Sequence, residues 1–489
     1  MSRLLRRAMT FTLPLPSPLK RLIAYYHDGE YFRLLARFAL PIALQYLLSS
    51  SLNMAAVMMI GQLGETAVAA VGLANQIWFL MNLVVFGVVS GAAMFVAQLW
   101  GKKDIPGIRR VLGLTVKLGL GVALFFWFLA TFYPASILRL YTTDPAVIEQ
   151  GGRYLRIVAW SYGLYALSAA YYAALRATGN VRLPLIVSSA TLSLNVGLAY
   201  PLIFGLERLG LPAMGINGAA LATLIARLLE CFTVLALVYR NRSVPAAASL
   251  RDLIEVDLRF MSTVLKPILP VIANETLWSL GITTYNAIYG RIGTQAVAAI
   301  NIIGAIEQMA FVLFFGLGQA TAILIGHQIG AGELEKAYRY GGRSLGLQGS
   351  GALLMGGLAW LFAGSIFQVY KVSPEVIASA QSLLTVMALG FWVKACNHVI
   401  IIGILRSGGD TRFSLILDGL VIWLVGVPAA AAGAFLFHLP VQWVYALTLS
   451  EEVVKFTAGL WRYFSKRWIN DLTQNIVRVD VHPETVHPA

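Results

Sequence analysis

Charge is scarce in this chain. Asp, Glu, Lys and Arg make up only 12% of 489 residues, against about 25% in a soluble domain, so no water-facing surface of ordinary size can be built from it. That excludes a soluble enzyme, and an apolar content of 58% excludes a disordered chain. Cysteine is nearly absent, with Cys231 and Cys396 alone, so there is no disulfide framework to expect. Chemical motifs are missing as well. No G-x-x-x-x-G-K-[ST] run marks ATP as a direct energy source, no H-E-x-x-H is present, the six histidines form no metal spacing with cysteine, and no D-D-x-x-D run exists for prenyl-diphosphate chemistry. Neither an enzyme nor a bound cofactor is expected.

What the chain has instead is long apolar runs, with a mean hydropathy of +0.73. A spanning helix needs about 20 mostly apolar residues. Such runs lie near 36–60, 67–98, 112–133, 154–175, 184–206, 214–239, 267–290, 296–326, 345–369, 380–405, 413–437 and 441–463. The expected fold class is therefore an all-α integral membrane protein with twelve transmembrane helices. The runs 67–98 and 296–326 exceed the bilayer and must tilt or project from it.

The basic excess, 37 Lys and Arg against 23 acids, sits in the short gaps between runs, which speaks for orientation and against a nucleic-acid partner. With a cytoplasmic N-terminus, 27 of the 37 basic residues fall on the inside, among them Lys102, Lys103, Arg176, Arg182, Arg406 and Arg412, and six fall outside. Both termini are thus expected in the cytoplasm. The basic, proline-containing start of the chain reads as a cytosolic tail, since its apolar stretch is too short for a signal peptide.

Self-comparison divides the chain. At an offset of 229 residues, Pro41 falls on Pro270, Gly61 and Gly64 on Gly290 and Gly293, Phe86-Gly87 on Phe315-Gly316, and Gly101 on Gly330. One residue later in register, Leu175, Arg176, Gly179 and Arg182 fall on Leu405, Arg406, Gly409 and Arg412. Six helices per copy is an even number, so the two lobes run parallel, with substrate expected between them. The implied segments are a basic tail (1–35), an N-terminal lobe (36–240), a linker (241–266), a C-terminal lobe (267–467) and a second tail (468–489).

An ionisable group within a span costs about 2.5–3.5 kcal/mol or more and is a functional candidate. Arg227 and Glu230, three apart, can neutralise each other. Asp418 lies close enough to a span end to reach the headgroups. Glu275, Glu307, Lys394, Glu451 and Glu452 fall near mid-span, with Asn274, Asn301, Asn397 and His398 nearby in sequence. The repeat places Tyr46 opposite Glu275 and Trp78 opposite Glu307, so these acids belong to one lobe only. Glu275 is the foremost coupling candidate, for a proton or a sodium ion, with Lys394 as a built-in counter-cation that favours the proton. The structural alternative is that Glu307 or Glu451 merely pairs with Lys394 or Lys455. Trp78, Trp278 and Trp392 either line a cleft for flat or cationic ligands or pack in the core, and His398 reads as a core histidine.

The string PIALQYLLSSSLNMAAVMMIGQLGETAVAAVGLA (41–74) resembles the opening helices of the multidrug and toxic compound extrusion (MATE) family. LRATGNVRLP (175–184), LNVGLAYPLIFG (194–205), GINGAALAT (215–223), IGTQAVAAINI (292–302), GLGQATAILIGHQIGAG (316–332) and LRSGGDTRF (405–413) continue the resemblance in order. It implies a multi-pass protein of the bacterial inner (plasma) membrane that exports amphipathic or cationic organic compounds against inward H+ or Na+ flow by alternating access. A monomer is expected, with the bilayer and small organic cations or amphipathic drugs as its partners. The resemblance assigns coupling to Glu275; the other charges within spans, Glu307, Lys394, Asp418, Glu451 and Glu452, are further candidates. Tyr46, Trp78, Asn195, Asn274, Trp278, Asn301 and His398 are the cleft candidates. One departure stands out: Ala56 occupies the place where many members carry an Asp. The rival readings are a flippase for lipid-linked sugars, related in fold, and a non-transporting receptor or scaffold. The flippase should face its cleft with basic residues, whereas the mid-span charges here are mostly acidic.

Overall fold

The computed structural model describes residues 25–26, 28–206, 210–254, 257–368, 370 and 372–474. Most of both terminal tails, with Arg208, Lys371 and Arg478, lies outside them. Twelve long helical rods follow in order. They are α1 (Gly29–Gly61), α2 (Glu65–Gly101), α3 (Ile105–Phe132), α4 (Pro145–Val158 continued by Ser161–Ala177), α5 (Arg182–Phe204) and α6 (Ile216–Arg240). The second set is α7 (Leu258–Ile292), α8 (Thr294–Gly330), α9 (Leu334–Leu361), α10 (Pro374–His398, continued in π form by Val399–Arg406), α11 (Thr411–Ser414 onward to Leu436) and α12 (Val441–Phe464). Eight of the helices are long and apolar enough to cross a membrane on composition alone. The two long runs become helices of 37 residues each, about 55 Å at 1.5 Å per residue, well over a hydrocarbon core of about 30 Å.

Local chemistry explains where the rods begin and turn. Asp28, Asp104 and Asp144 accept backbone N–H bonds at the starts of α1, α3 and α4, satisfying otherwise orphaned donors. The tight reversals from α1 to α2 and from α7 to α8 turn on Gly64 (φ 98°) and Gly293 (φ 151°), which are repeat equivalents and adopt backbone angles that side-chain-bearing residues avoid. α4 starts earlier than the hydropathy predicts because its first half, Pro145–Val158, is amphipathic rather than uniformly apolar.

The two six-helix lobes exchange their first helices at one end. Tyr31, Leu35 and Phe38 of α1 are buried among residues of α8, α9 and α10, while Phe260, Val264 and Ile268 of α7 are buried among those of α2 and α3. The repeat pairs make the same contacts twice. A Cβ at Gly87 would lie 2.9 Å from Ile272 Cα, and one at Gly316 would lie 3.0 Å from Ala43 N. Where α2 and α8 cross, a Cβ at Gly101 would lie 2.2 Å from His327 O and one at Gly330 would lie 1.8 Å from Gln98 O. At the other end, a Cβ at Gly61, Gly64, Gly290 or Gly293 would meet nothing within 4 Å. The lobes therefore touch at the end that carries the first and last described residues.

Candidate functional site

That contact is held by hydrogen bonds that repeat with the fold. Gln98 Nε2 donates across the lobes to Ser407 O at 2.9 Å, and His327 Nε2 lies 2.6 Å from Ala177 O. Gln98 and His327 are repeat equivalents, as are Ala177 and Ser407. Beside these bonds lies a cavity of about 80 Å³ whose wall is also made of equivalents: Ser90 and Gln319, Ala93 and Ala322, Arg176 and Arg406. The cavity therefore sits on the pseudo-two-fold axis. Tyr46 of α1 lines it too.

Arg406 reaches this place from the π-helical end of α10 and is 3% exposed. Its Nη2 lies 2.6 Å from Glu275 Oε1 on α7, while Nε and Nη1 have no hydrogen-bond partner among the described residues. Glu275 is itself 8% exposed. Its sequence neighbour Asn274 turns into the C-terminal lobe and donates to Asp418 at 2.9 Å.

Inside that lobe the remaining acids are held by two lysines, a tyrosine and an amide. Lys455 Nζ lies 3.0 Å from Asp418 and 3.4 Å from Glu451, and Tyr285 Oη donates to Glu451 at 2.9 Å. Lys394 Nζ lies 2.7 Å from Glu307 and 3.4 Å from the Tyr445 hydroxyl. Asn397 donates to Glu452 Oε2 at 2.7 Å. Glycines at seven-residue spacing on α11 admit these partners: a Cβ at Gly419 would lie 3.2 Å from Asn274 Oδ1, and one at Gly426 would lie 1.8 Å from Tyr285 Oη. The π-helical turns of α11 surround Pro428, which cannot donate to the ordinary helical ladder.

A larger cavity, about 420 Å³, lies within the N-terminal lobe, lined in part by Asn53, Ala56, Trp78, Asn195, Thr223 and Arg227. Its volume falls in the range of small-molecule sites, roughly 300–1,000 Å³. Asn195 Nδ2 lies 3.4 Å from Thr223 Oγ1, and Trp78 packs against Tyr165 at 5.9 Å. Arg227 Nη1 bonds Glu230 at 2.6 Å, and Tyr172 Oη donates to the other oxygen of Glu230 at 3.0 Å.

The model of the family described as MatE matches this chain twice, over residues 41–201 and 270–432. The chain belongs to the MatE family. The two matches begin 229 residues apart, which is the offset of the repeat. Among relatives, the probable multidrug resistance protein NorM of Thermotoga maritima is 23% identical over 444 residues, covering 89% of this chain and 92% of that protein. Among solved structures, the MATE transporter VcmN of Vibrio cholerae superposes with a TM-score of 0.82 at 19% identity, covering 90% of this chain and 98% of that one. A MOP superfamily transporter from Pyrococcus furiosus, whose binding pocket is described as of reverse polarity, superposes with a TM-score of 0.80 at 19% identity, covering 90% and 97%. Membership makes this a MATE efflux transporter and a multi-pass membrane protein, and bacterial relatives of that kind belong to the inner membrane.

Within this MATE fold several expectations need correction. Lys394 does not stand beside Glu275; it is bound to Glu307, and the counter-cation is Arg406, which follows the apolar run 380–405 and so counts as a loop residue. Asp418 does not reach toward headgroups, because Lys455 and Asn274 hold it inside the lobe. The mid-span acids do not set the charge of the axis cavity, which is lined by two arginines. Ala56, the departure from the family pattern, lies on the wall of the larger cavity. His398 packs edge-on against Phe311 and Phe315 at 5.4 and 4.9 Å, with Nε2 unpartnered among the described residues. Trp278 is 40% exposed, and Asn301 is exposed on α8. Trp392 packs against Phe456 at 5.4 Å. Sequence reasoning missed Arg176, Gln98 and His327 as interface residues; the one available signal was their conserved spacing between the two repeat copies.

Proposed function

We propose that this transporter is a secondary antiporter that expels amphipathic organic compounds in exchange for inward protons, with Glu275 as the coupling carboxylate. The observation that carries this reading is the position of Glu275: buried at the lobe interface, with one oxygen on Arg406 at 2.6 Å. Ionised Glu275 ties α7 to the end of α10. A proton on it cancels the pair, leaves Arg406 unbalanced, and so changes the relative stability of the two lobe arrangements. With the termini in the cytoplasm, the closed end faces inward and this is the outward-open arrangement, the one that accepts the coupling ion and releases cargo. The protein works as a monomer in this reading, since both lobes of the cycle lie in one chain.

Sodium suits this carboxylate poorly. A second cation about 4 Å from the guanidinium is repelled by about 4 kcal/mol at an effective dielectric of about 20, whereas a proton removes charge rather than adding it. Cargo is read as amphipathic rather than strictly cationic, because Arg227 is on the wall of the larger cavity and its acid, Glu230, is already paired.

The test is efflux of amphipathic dyes from vesicles with separately imposed proton and sodium gradients. Proton-driven efflux is expected in the parent and abolished in Glu275→Gln. Unchanged efflux in that variant, or efflux driven by sodium alone, refutes the assignment. The flippase reading gains from Arg176 and Arg406, which are basic residues at the lobe interface. It is favoured if no dye moves under either gradient while a short-chain lipid-linked sugar crosses the bilayer.

A further inference from the structure

The axis cavity contains more positive charge than its described partners neutralise. Arg176 and Arg406 both line it, and Glu275 accounts for one of the two charges through a single guanidinium nitrogen, Nη2. The other charged or titratable groups around Arg406 are already committed: Asp418 is held by Lys455, and His398 brings no negative charge. Arg176 is in no ion pair among the described residues. Arg176 is half-buried, whereas Arg406 is only 3% exposed with Nε and Nη1 unpartnered among the described residues, and a donor buried without a partner costs about 1–3 kcal/mol, more where the group is charged.

Geometry adds to charge. The two arginines are repeat equivalents on either side of the pseudo-axis, so they converge on a shared space of about 80 Å³. That volume holds a few water-sized spheres or one small anion, and it is far below the size of a drug molecule. Ser90 and Gln319, a further repeat pair, supply neutral donors on the wall. Guanidinium forks match a carboxylate bidentately and also hold spherical anions.

We propose that this cavity is an anion site, in which a halide or a single carboxylate group bridges Arg176 and Arg406 across the lobe interface. The site is separate from the cargo cavity of the N-terminal lobe and does not depend on which cation drives transport. Its occupant ties the two lobes together at their closed end, so binding stabilises this arrangement over the one in which the arginines part.

The experiment uses the full-length protein in detergent at fixed ionic strength and fixed pH, with chloride or acetate replacing gluconate, which is too large for the cavity. Thermal unfolding should rise saturably with chloride or acetate by a few degrees relative to gluconate. Chloride acting alone identifies a halide site, and acetate acting more strongly identifies a carboxylate site that an organic ligand fills. In Arg176→Gln the half-saturating concentration should rise at least tenfold. Arg406→Gln leaves Glu275 buried and unpaired, so the double variant Arg406→Gln with Glu275→Gln keeps the protein neutral there and tests the second arginine; it too should lose the response. Equal unfolding in all three salts overturns the proposal, as does a saturable shift that survives in both variants. Bromide or bromoacetate soaked into crystals should give an anomalous peak between the two guanidinium groups, and a cavity left empty at high concentrations of both contradicts the site.

Discussion

The crossing of α2 and α8 provides a direct handle on the lobe alternation proposed above. A methyl group at Gly330 would stand 1.8 Å from Gln98 O, 2.6 Å from its carbonyl carbon and 2.9 Å from its Cα. All three are backbone atoms, so no rotamer change can relieve the clash, and the two helices must move apart. Overpacking of this kind costs about 1–3 kcal/mol. The cost falls only on the arrangement in which these ends touch, and a tenfold shift corresponds to about 1.4 kcal/mol, so Gly330→Ala should move the equilibrium about 5- to 150-fold toward the other arrangement. Spin labels at Lys103 and Glu333, both exposed, would report it by pulsed dipolar spectroscopy in nanodiscs, in a background lacking Cys231 and Cys396. Gly357→Ala is the control, since a Cβ there meets nothing within 4 Å. A short-distance population as large in Gly330→Ala as in the control refutes the reasoning.

Other consequences follow from the charge pairs. Lys455 is 1% exposed and serves both Asp418 and Glu451; Lys455→Met should lower stability by about 3–5 kcal/mol, seen as a loss of folded protein in thermal scans, and Lys455→Met with Asp418→Asn should recover part of it. In the N-terminal lobe, Arg227→Gln should destabilise through unpaired Glu230, and adding Glu230→Gln should restore the unfolding temperature. The segment after α12 is bound to α2 by Lys102 to Asp471 at 3.0 Å and by Leu472 N donating to Gln98 Oε1 at 2.8 Å. Burial pushes the Asp471 carboxyl up, but hydrogen bonds from Thr473 and Lys102 outweigh it and hold the group below its usual range. A depressed folded value means that this tie is complete above the ordinary aspartate pKa of about 3.9 and is lost only as pH falls through the lower folded value. Hydrogen exchange of residues 465–474 should therefore show constant protection, after correction for intrinsic rates, from pH 5 to 8, and Asp471→Asn should reduce it throughout.

Much of the fold was legible because it is written twice. The offset that aligns Gly64 with Gly293 and Gly101 with Gly330 also identifies two turns and one crossing, since each glycine is required by backbone geometry rather than by a ligand. Helix pairs were legible where both charges lie on one rod: Glu451 with Lys455, and Arg227 with Glu230. Contacts between rods were harder to read. Lys394 could be set beside Glu275 or Glu307 on sequence alone, because the rotation of α10 against α7 and α8 decides, and no local pattern encodes it. Arg406 was hidden for another reason. It follows the apolar run 380–405 and counts as a loop charge, yet its π-helical segment carries it into the lobe interface. Asp418 was misread similarly, because depth along α11 says nothing about a lysine on the neighbouring helix. The acidic bias of the second lobe was correct as a count and misleading as a surface, since most of those acids are neutralised by cations of the same lobe.

The account rests on one carboxylate exchanging a proton as cargo binds. Purified transporter in weakly buffered detergent, titrated with a transported dye while proton release is followed, measures that exchange without a membrane gradient. At a pH low enough for Glu275 to hold its proton before dye is added, the parent should release close to one proton per dye bound, and Glu275→Gln should bind dye and release none. Equal proton release from the two proteins would contradict the central role of Glu275.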